Sequence, residues 1–288
     1  MPENDLPRRL ETRAGLPLHL RHWPTPQRPR GTVLIVHGLG EHGGRYAEVA
    51  QALNAAGWCV VAHDHRGHGE SGGRRGVIAA ADDLLADLAV VIDAVRTVRP
   101  GRLVLLGHSL GGLVAGRFVA EGAQPAAQRA PWYREVDALV MSSPALDPGL
   151  SLFQQALLAV AGTLAPGLAV GNGLSPDWIS RDAATVAAYV ADPLVHDRIG
   201  ARLARFIADE GATVIGRAAA WPLPTLLMWA GADRCVRPAG SARFATAASV
   251  PGSPVSTREW PGLAHEIFNE PERAEVIAAL TGWLDRVG

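Results

Sequence analysis

Apolar and polar positions along the chain fall into two alternating patterns. Short apolar runs predict buried strands at Val33-Leu34-Ile35-Val36, Trp58-Cys59-Val60-Val61-Ala62, Leu103-Val104-Leu105-Leu106, Val136 to Met141 and Thr225 to Trp229, with a further strand at Val255 to Trp260. Between them, helical spacing predicts helices over Tyr46 to Ala56, stopped by Gly57, and over Leu113 to Ala120, Arg237 to Ala248 and Glu272 to Val287. The clearest helix is Asp82 to Val98. Leu84, Leu85, Leu88, Val91, Ile92 and Val95 fall on one face, acids open it and arginines sit near its end. Leu16 to Trp23 alternates apolar and polar residues and predicts a half-exposed edge strand, broken by Pro24, Pro26 and Pro29.

Strands alternating with helices predict a mostly parallel sheet covered on both faces. The alternation lapses from about 145 to 217, where helical pattern is interrupted by Gly and Pro and no convincing strand is present. The sequence therefore divides into a first core part (1–144), a helical insertion over the sheet (145–217) and a second core part (218–288).

Composition narrows the function classes. The 288 residues are 48% hydrophobic and 19% charged, enough for one large core. A formal charge of −1 gives no electrostatic reason to expect a nucleic-acid partner. Every one of the 27 basic residues is arginine. Without lysine, Schiff-base chemistry and a Walker-type phosphate loop are both excluded. Two cysteines, Cys59 and Cys235, make neither a disulfide framework nor a cysteine zinc site. The segment Met1 to Arg9 lacks the apolar core of a signal peptide, and no apolar run is long enough to span a bilayer, so cytoplasmic residence is expected.

Gly107-His108-Ser109-Leu110-Gly111-Gly112 joins the strand ending at Leu106 to the helix from Leu113. A serine on so tight a strand-to-helix turn is a nucleophile elbow, and the flanking glycines remove side chains that would collide there. A serine hydroxyl needs a base and a group that orients the base, in the chain order Ser, Asp or Glu, His. Asp233, directly after the Thr225 to Trp229 strand, fits the acid; its alternative role is a turn aspartate. Asp147 competes, but Asp147-Pro148-Gly149 reads better as a turn. His265 fits the base, since of the ten histidines it alone follows Asp233. Backbone N–H groups of Leu110 and Leu39 are the candidate oxyanion donors, with Gly38 and Gly40 letting the second loop bend inward. His37 and His108 read as packing or supporting groups. His65 and His68, in Asp64 to Gly72, could ligate a metal, but a structural turn is the better account, and no cofactor or metal is expected.

Taken together, His37-Gly38-Leu39-Gly40-Glu41-His42-Gly43-Gly44-Arg45-Tyr46, Asp64 to Gly72, the elbow, Gly231-Ala232-Asp233 and His265 resemble the monoacylglycerol lipase and lysophospholipase-like branch of the α/β-hydrolases, close to its serine aminopeptidase-like group. Asp192-Pro193-Leu194-Val195 is similar to the segment near the end of that family's cap. Leu110 stands where methionine is common in the lipase branch; only its backbone N–H is needed. The resemblance implies an α/β-hydrolase fold with a helical cap and metal-free ester hydrolysis through Ser109, Asp233 and His265, with oxyanion donors Leu39 and Leu110. It implies a small-molecule ester or lipid substrate, and leaves the substrate and oligomeric state open. Leu150 to Leu164 is strongly apolar and predicts a cap helix that packs the cap on the main domain, or lines an acyl tunnel and touches membranes or micelles, or does both; Gln154, Gln155, Gly162 and Pro166 argue against a spanning helix. Two other readings stand beside this one. An N-terminal peptidase would need cap acids such as Asp182, Asp192, Asp197, Asp209 or Glu210 to hold an ammonium group. A ligand-binding receptor on the same shell would lack turnover.

Overall fold

The structure, a computed structural model, describes residues 6–23, 29–149, 161, 163–165 and 167–287. Its sheet runs β1 (Arg9–Glu11), β2 (Pro17–Trp23), β4 (Cys59–His63), β3 (Thr32–Val36), β5 (Leu103–His108), β6 (Ala138–Ser142), β9 (Thr225–Ala230) and β10 (Val255–Trp260). From β4 to β10 every pairing is parallel; β1 and β2 are antiparallel additions at one side. The parallel strands read as continuous apolar runs because both their faces are buried. Along β3, Leu34 and Val36 face one core layer and Val33 and Ile35 the other.

Helices α2 (Asp83–Val98), α3 (Leu110–Ala120), α5 (Ala201–Arg217) and α6 (Pro238–Ala248) cover the first face; α1 (Ala47–Ala55) and α7 (Arg273–Val287) cover the second. All six apolar positions predicted to share one face of α2 are buried. At α1, Gly57 stops the helix at a φ of +87°, a conformation that costs glycine little. The short turn Gly43–Tyr46 precedes it, with the His42 side chain accepting from Gly44 N–H at 3.1 Å.

Two expectations need correction. β2 is not an edge strand, because the three-residue β1 pairs outside it; Arg9–Glu11 is too short and polar to show an alternation. The stretch between 145 and 217 does contain strands: β7 (Ala169–Gly171) and β8 (Arg198–Gly200) pair antiparallel, each too brief for a period-two pattern. This stretch also holds α4 (Ala183–Ala191) and α5; α5 packs on α3 and α6 through Leu203, Phe206 and Val214. The predicted apolar helix lies largely outside the described residues; of its stripe, Leu164 is described and is 79% exposed.

The turn after β4 is built around Asp64, whose carboxylate accepts from Gly43 N–H at 2.8 Å and Glu70 N–H at 2.9 Å. Arg66 reaches across to α2, paired with Asp87 at 2.6 Å through both carboxylate oxygens. Packed here are four buried histidines, His37, His63, His65 and His68, with the rings of His37 and His65 4.4 Å apart and those of His63 and His65 5.0 Å apart. Burial holds His63 near a pKa of about 4, and burial together with His196 holds His68 near about 3. The folded protein therefore keeps these rings neutral, while the unfolded chain takes up protons once pH falls below about 6.5. Stability is fully present above that pH and is lost as pH drops toward the folded values. At pH 5 the penalty is roughly 2 kcal/mol for each such histidine. The melting temperature is expected to be flat above pH 7 and to fall steeply from pH 6.5 to 5. Both ring nitrogens of His63 lack a hydrogen-bond partner among the described residues, so His63→Leu should make that fall shallower; an unchanged slope would remove His63 from the account.

Candidate active site

The elbow between β5 and α3 forces Ser109 to a φ of +53° and ψ of −119°, a region that non-glycine residues rarely occupy. Ser109 is held there from both sides: its N–H donates to the Ser142 carbonyl, and its own carbonyl accepts from Leu113 and Ala145, each at 3.0 Å. The glycines are obligatory on contact grounds. A Cβ on Gly111 would lie 1.9 Å from the Val36 carbonyl oxygen, and one on Gly107 2.3 Å from that of Gly111. A second strained residue, Ser143 (φ +40°), follows β6; its N–H donates to the Met228 carbonyl at 2.8 Å and so ties β6 to β9 beneath the elbow loop.

Asp233 follows β9 and His265 follows β10, so parallel neighbours deliver them to the same end of the sheet. His265 Nδ1 lies 2.6 Å from Asp233 Oδ2, and both side chains are buried. The other carboxylate oxygen accepts from Cys235 and Val236 N–H at 2.8 and 3.0 Å. Asp233 thus serves as turn aspartate and as histidine partner at once, with one oxygen for each. A carboxylate against Nδ1 places the proton there and leaves Nε2 as an acceptor. Burial opposes the His265 cation, but the Asp233 charge and hydrogen bond, with Glu266 and Glu41 farther out, outweigh it and raise the pKa above the ordinary value.

Ser109 and His265 both face a cavity of about 360 Å³ roofed by Leu174, Ile179, Tyr189, Val190 and Val195. Among the described residues no hydrogen bond joins Ser109 Oγ to the imidazole; such bonds commonly close only when substrate binds. Leu39 lines the same cavity. Its neighbour Gly38 is pressed against Ser109, since a Cβ there would meet Ser109 Cβ at 3.2 Å. Leu110 is the first residue of α3, so its N–H has no carbonyl one turn back, and the helix dipole favours negative charge beside it. Asp147 is kept from this group by a separate turn, accepting from Gly149 N–H and from Arg243.

His37 and His108 support the site. His37 Nε2 accepts from His65 N–H at 2.9 Å, so its Nδ1–H donates to the Gly38 carbonyl at 2.7 Å. His108 packs 4.8 Å from the His265 ring, and burial with that neighbour pushes its pKa down to about 3. Sequence reasoning missed the ion network beside His265. Arg45 donates to both oxygens of Glu266 at 2.6 and 2.7 Å and to Glu41 at 2.8 Å, while the other Glu41 oxygen accepts from Gly38 N–H at 2.6 Å and Tyr46 Oη–H at 2.7 Å. The four-residue spacing of Glu41 and Arg45 was a signal; the link to Glu266, distant in the chain, was not.

Residues 27–272 match the family described as serine aminopeptidase, S33. The chain is 39% identical over 266 residues to a monoacylglycerol lipase of Mycolicibacterium smegmatis, covering 91% of this chain and 90% of that protein. It is 32% identical over 262 residues to phospholipase YtpA of Bacillus subtilis, covering 90% and 96%. Among solved structures, a monoacylglycerol lipase of Paleococcus ferrophilus superposes with a TM-score of 0.81 at 35% identity, covering 94% of this chain and 99% of that one. The fold is that of the α/β-hydrolases.

A fluorophosphonate probe is expected to form a single adduct, on Ser109, read by mass spectrometry. Only the neutral imidazole accepts the serine proton, and its raised pKa keeps the inert cation present above the ordinary histidine value of about 6.5. Labelling should therefore quicken with rising pH, with a midpoint above 6.5; a rate independent of pH would rule out His265 as the base.

Proposed function

The chain belongs to the serine aminopeptidase S33 family of α/β-hydrolases, and from that membership we propose that Ser109, His265 and Asp233 hydrolyse the ester bond of a monoacylglycerol or similar single-chain lipid. The protein is a serine ester hydrolase of the monoacylglycerol lipase type. The observation that carries the residue assignment is the buried 2.6 Å His265–Asp233 pair, whose imidazole lines the same cavity as the strained Ser109.

In this reading Ser109 Oγ attacks the ester carbonyl carbon as His265 Nε2 takes its proton. Leu39 and Leu110 N–H groups receive the charge that develops on the carbonyl oxygen. Asp233 holds the ring orientation and stabilises its cation. His265 then returns the proton to the departing alcohol, and a water activated by the same ring releases the acyl group. Each oxyanion donor of this kind is worth about 10²–10³ in kcat.

The cap supports a lipid over a peptide. Its candidate acids already have partners: Asp192 is hydrogen-bonded to His42 at 2.8 Å, and arginines engage Asp197 (Arg198, 3.1 Å), Asp209 (Arg205, 3.0 Å) and Glu210 (Arg117, 2.7 Å), with Asp182 3.7 Å from Arg273. That pairing disfavours capture of a substrate ammonium. By contrast Leu164, Leu168, Val170 and Val190 are more than half exposed around the cap. Peripheral contact with a lipid surface through these residues, in the cytoplasm, belongs to the same proposal. No helix among the described residues is long and apolar enough to cross a membrane.

With purified protein, monoacylglycerols are expected to give a higher kcat/KM than lysophospholipids, short p-nitrophenyl esters or aminoacyl anilides. Ser109→Ala should abolish this hydrolysis at an unchanged melting temperature, and Asp233→Asn should lower kcat by about 10⁴ by favouring the wrong tautomer. Preferred cleavage of the anilide, or ester hydrolysis by Ser109→Ala, would overturn the reading.

A further inference from the structure

The loop Gly38–Gly40 is fastened to the cap as well as to the core. His196 N–H donates to the Gly40 carbonyl at 2.9 Å. Gly40 has a φ of +77°, and a Cβ there would stand 2.3 Å from the His196 carbonyl oxygen, so the two backbones touch. The Tyr189 ring lies 4.7 Å from the Arg45 guanidinium. The side-chain fastening is His42 to Asp192. His42 Nδ1 accepts from Gly44 N–H, so the proton sits on Nε2 and is donated to Asp192 Oδ2 at 2.8 Å. Asp192 Oδ1 separately accepts from Leu194 N–H at 2.8 Å, and His42 is buried.

We propose that the His42–Asp192 pair is a positioning element for the oxyanion site: through it the cap fixes the loop that carries the Leu39 N–H, so the cap contributes to transition-state stabilisation and not only to substrate binding. The inference rests on the assignment of Leu39 as a donor. The physical argument is one of tolerance. An oxyanion donor works only when it is held in place before charge develops, and a glycine-flanked loop has little rigidity of its own. Glu41 anchors this loop from the core side at Gly38 N–H; Gly40 and His42 anchor it from the cap side. Leu39 lies between the two anchors.

Asp192→Asn and His42→Asn each remove this contact with little other change. The amide oxygen introduced at position 192 can keep the bond from Leu194 N–H, and the one introduced at position 42 can keep the bond from Gly44 N–H. On p-nitrophenyl acetate, too short to fill the cap, each variant should lose about 10- to 100-fold in kcat with KM within about threefold. Affinity for a boronic-acid transition-state analogue should fall by the same factor. Because the two residues act as one, the double variant should be no slower than the slower single variant. Unchanged kcat on the acetate, with loss confined to KM on long-chain esters, would overturn the proposal in favour of a substrate-binding role. If one variant fails to fold, the other carries the test. Ser109→Ala separates the two levels. If it is inactive while Asp192→Asn retains full kcat, the positioning role alone fails; if it is active, the underlying catalytic reading fails.

Discussion

The site depends on one close approach, where the turn after β5 passes the end of β3. Gly111 sits so near the Val36 carbonyl that no side chain fits, and Gly107 and Gly112 are crowded by Gly111 and Pro144. This squeeze is what holds Ser109 at a positive φ. Backbone hydrogen bonds from Ser109 to Ser142, and to Ser109 from Leu113 and Ala145, over-determine that conformation. The strain has a structural consequence: the serine is lifted to the cavity wall at the start of α3, next to the first N–H of that helix.

Around this point the charges are arranged in two tiers. The inner tier is a single anion, Asp233, against a single titratable ring, His265. The outer tier is Arg45 held between Glu41 and Glu266, with burial opposing the cation and the two carboxylates outweighing that cost. A buried ion cluster of this sort is weak evidence for net stability and stronger evidence for fixed geometry. Here it joins the loop before α1, which carries Leu39, to the residue that follows His265. Neighbouring histidines add no charge, because burial keeps His37, His65 and His108 neutral. His265 therefore titrates against a background of fixed charge.

The segment from 168 to 200 meets this arrangement at its inner edge and solvent at its outer one. Its inner edge, Tyr189 to His196, is bound by polar contacts to Gly40, His42, Arg45 and Gly67. Its outer residues Leu168 and Val170 are apolar and open to solvent. One side of this segment is thus anchored beside the cavity that Ser109 and His265 line, and the other presents apolar side chains to solvent.

By itself the sequence determined the parallel sheet, the amphipathic face of α2 and the elbow, because each is a local pattern: apolar runs for strands buried on both faces, helical spacing for one-sided burial, and paired glycines where backbones must touch. It also determined which serine, aspartate and histidine to consider, through their order along the chain and their positions after strands. Only tertiary structure decided that β1 covers β2, that β7 meets β8, and that Arg45 bridges to Glu266 and His42 to Asp192. The reason is common to all of them. Three-residue strands leave no measurable period, and an ion pair between residues far apart in the chain is set by where the sheet brings their loops, which no local spacing records.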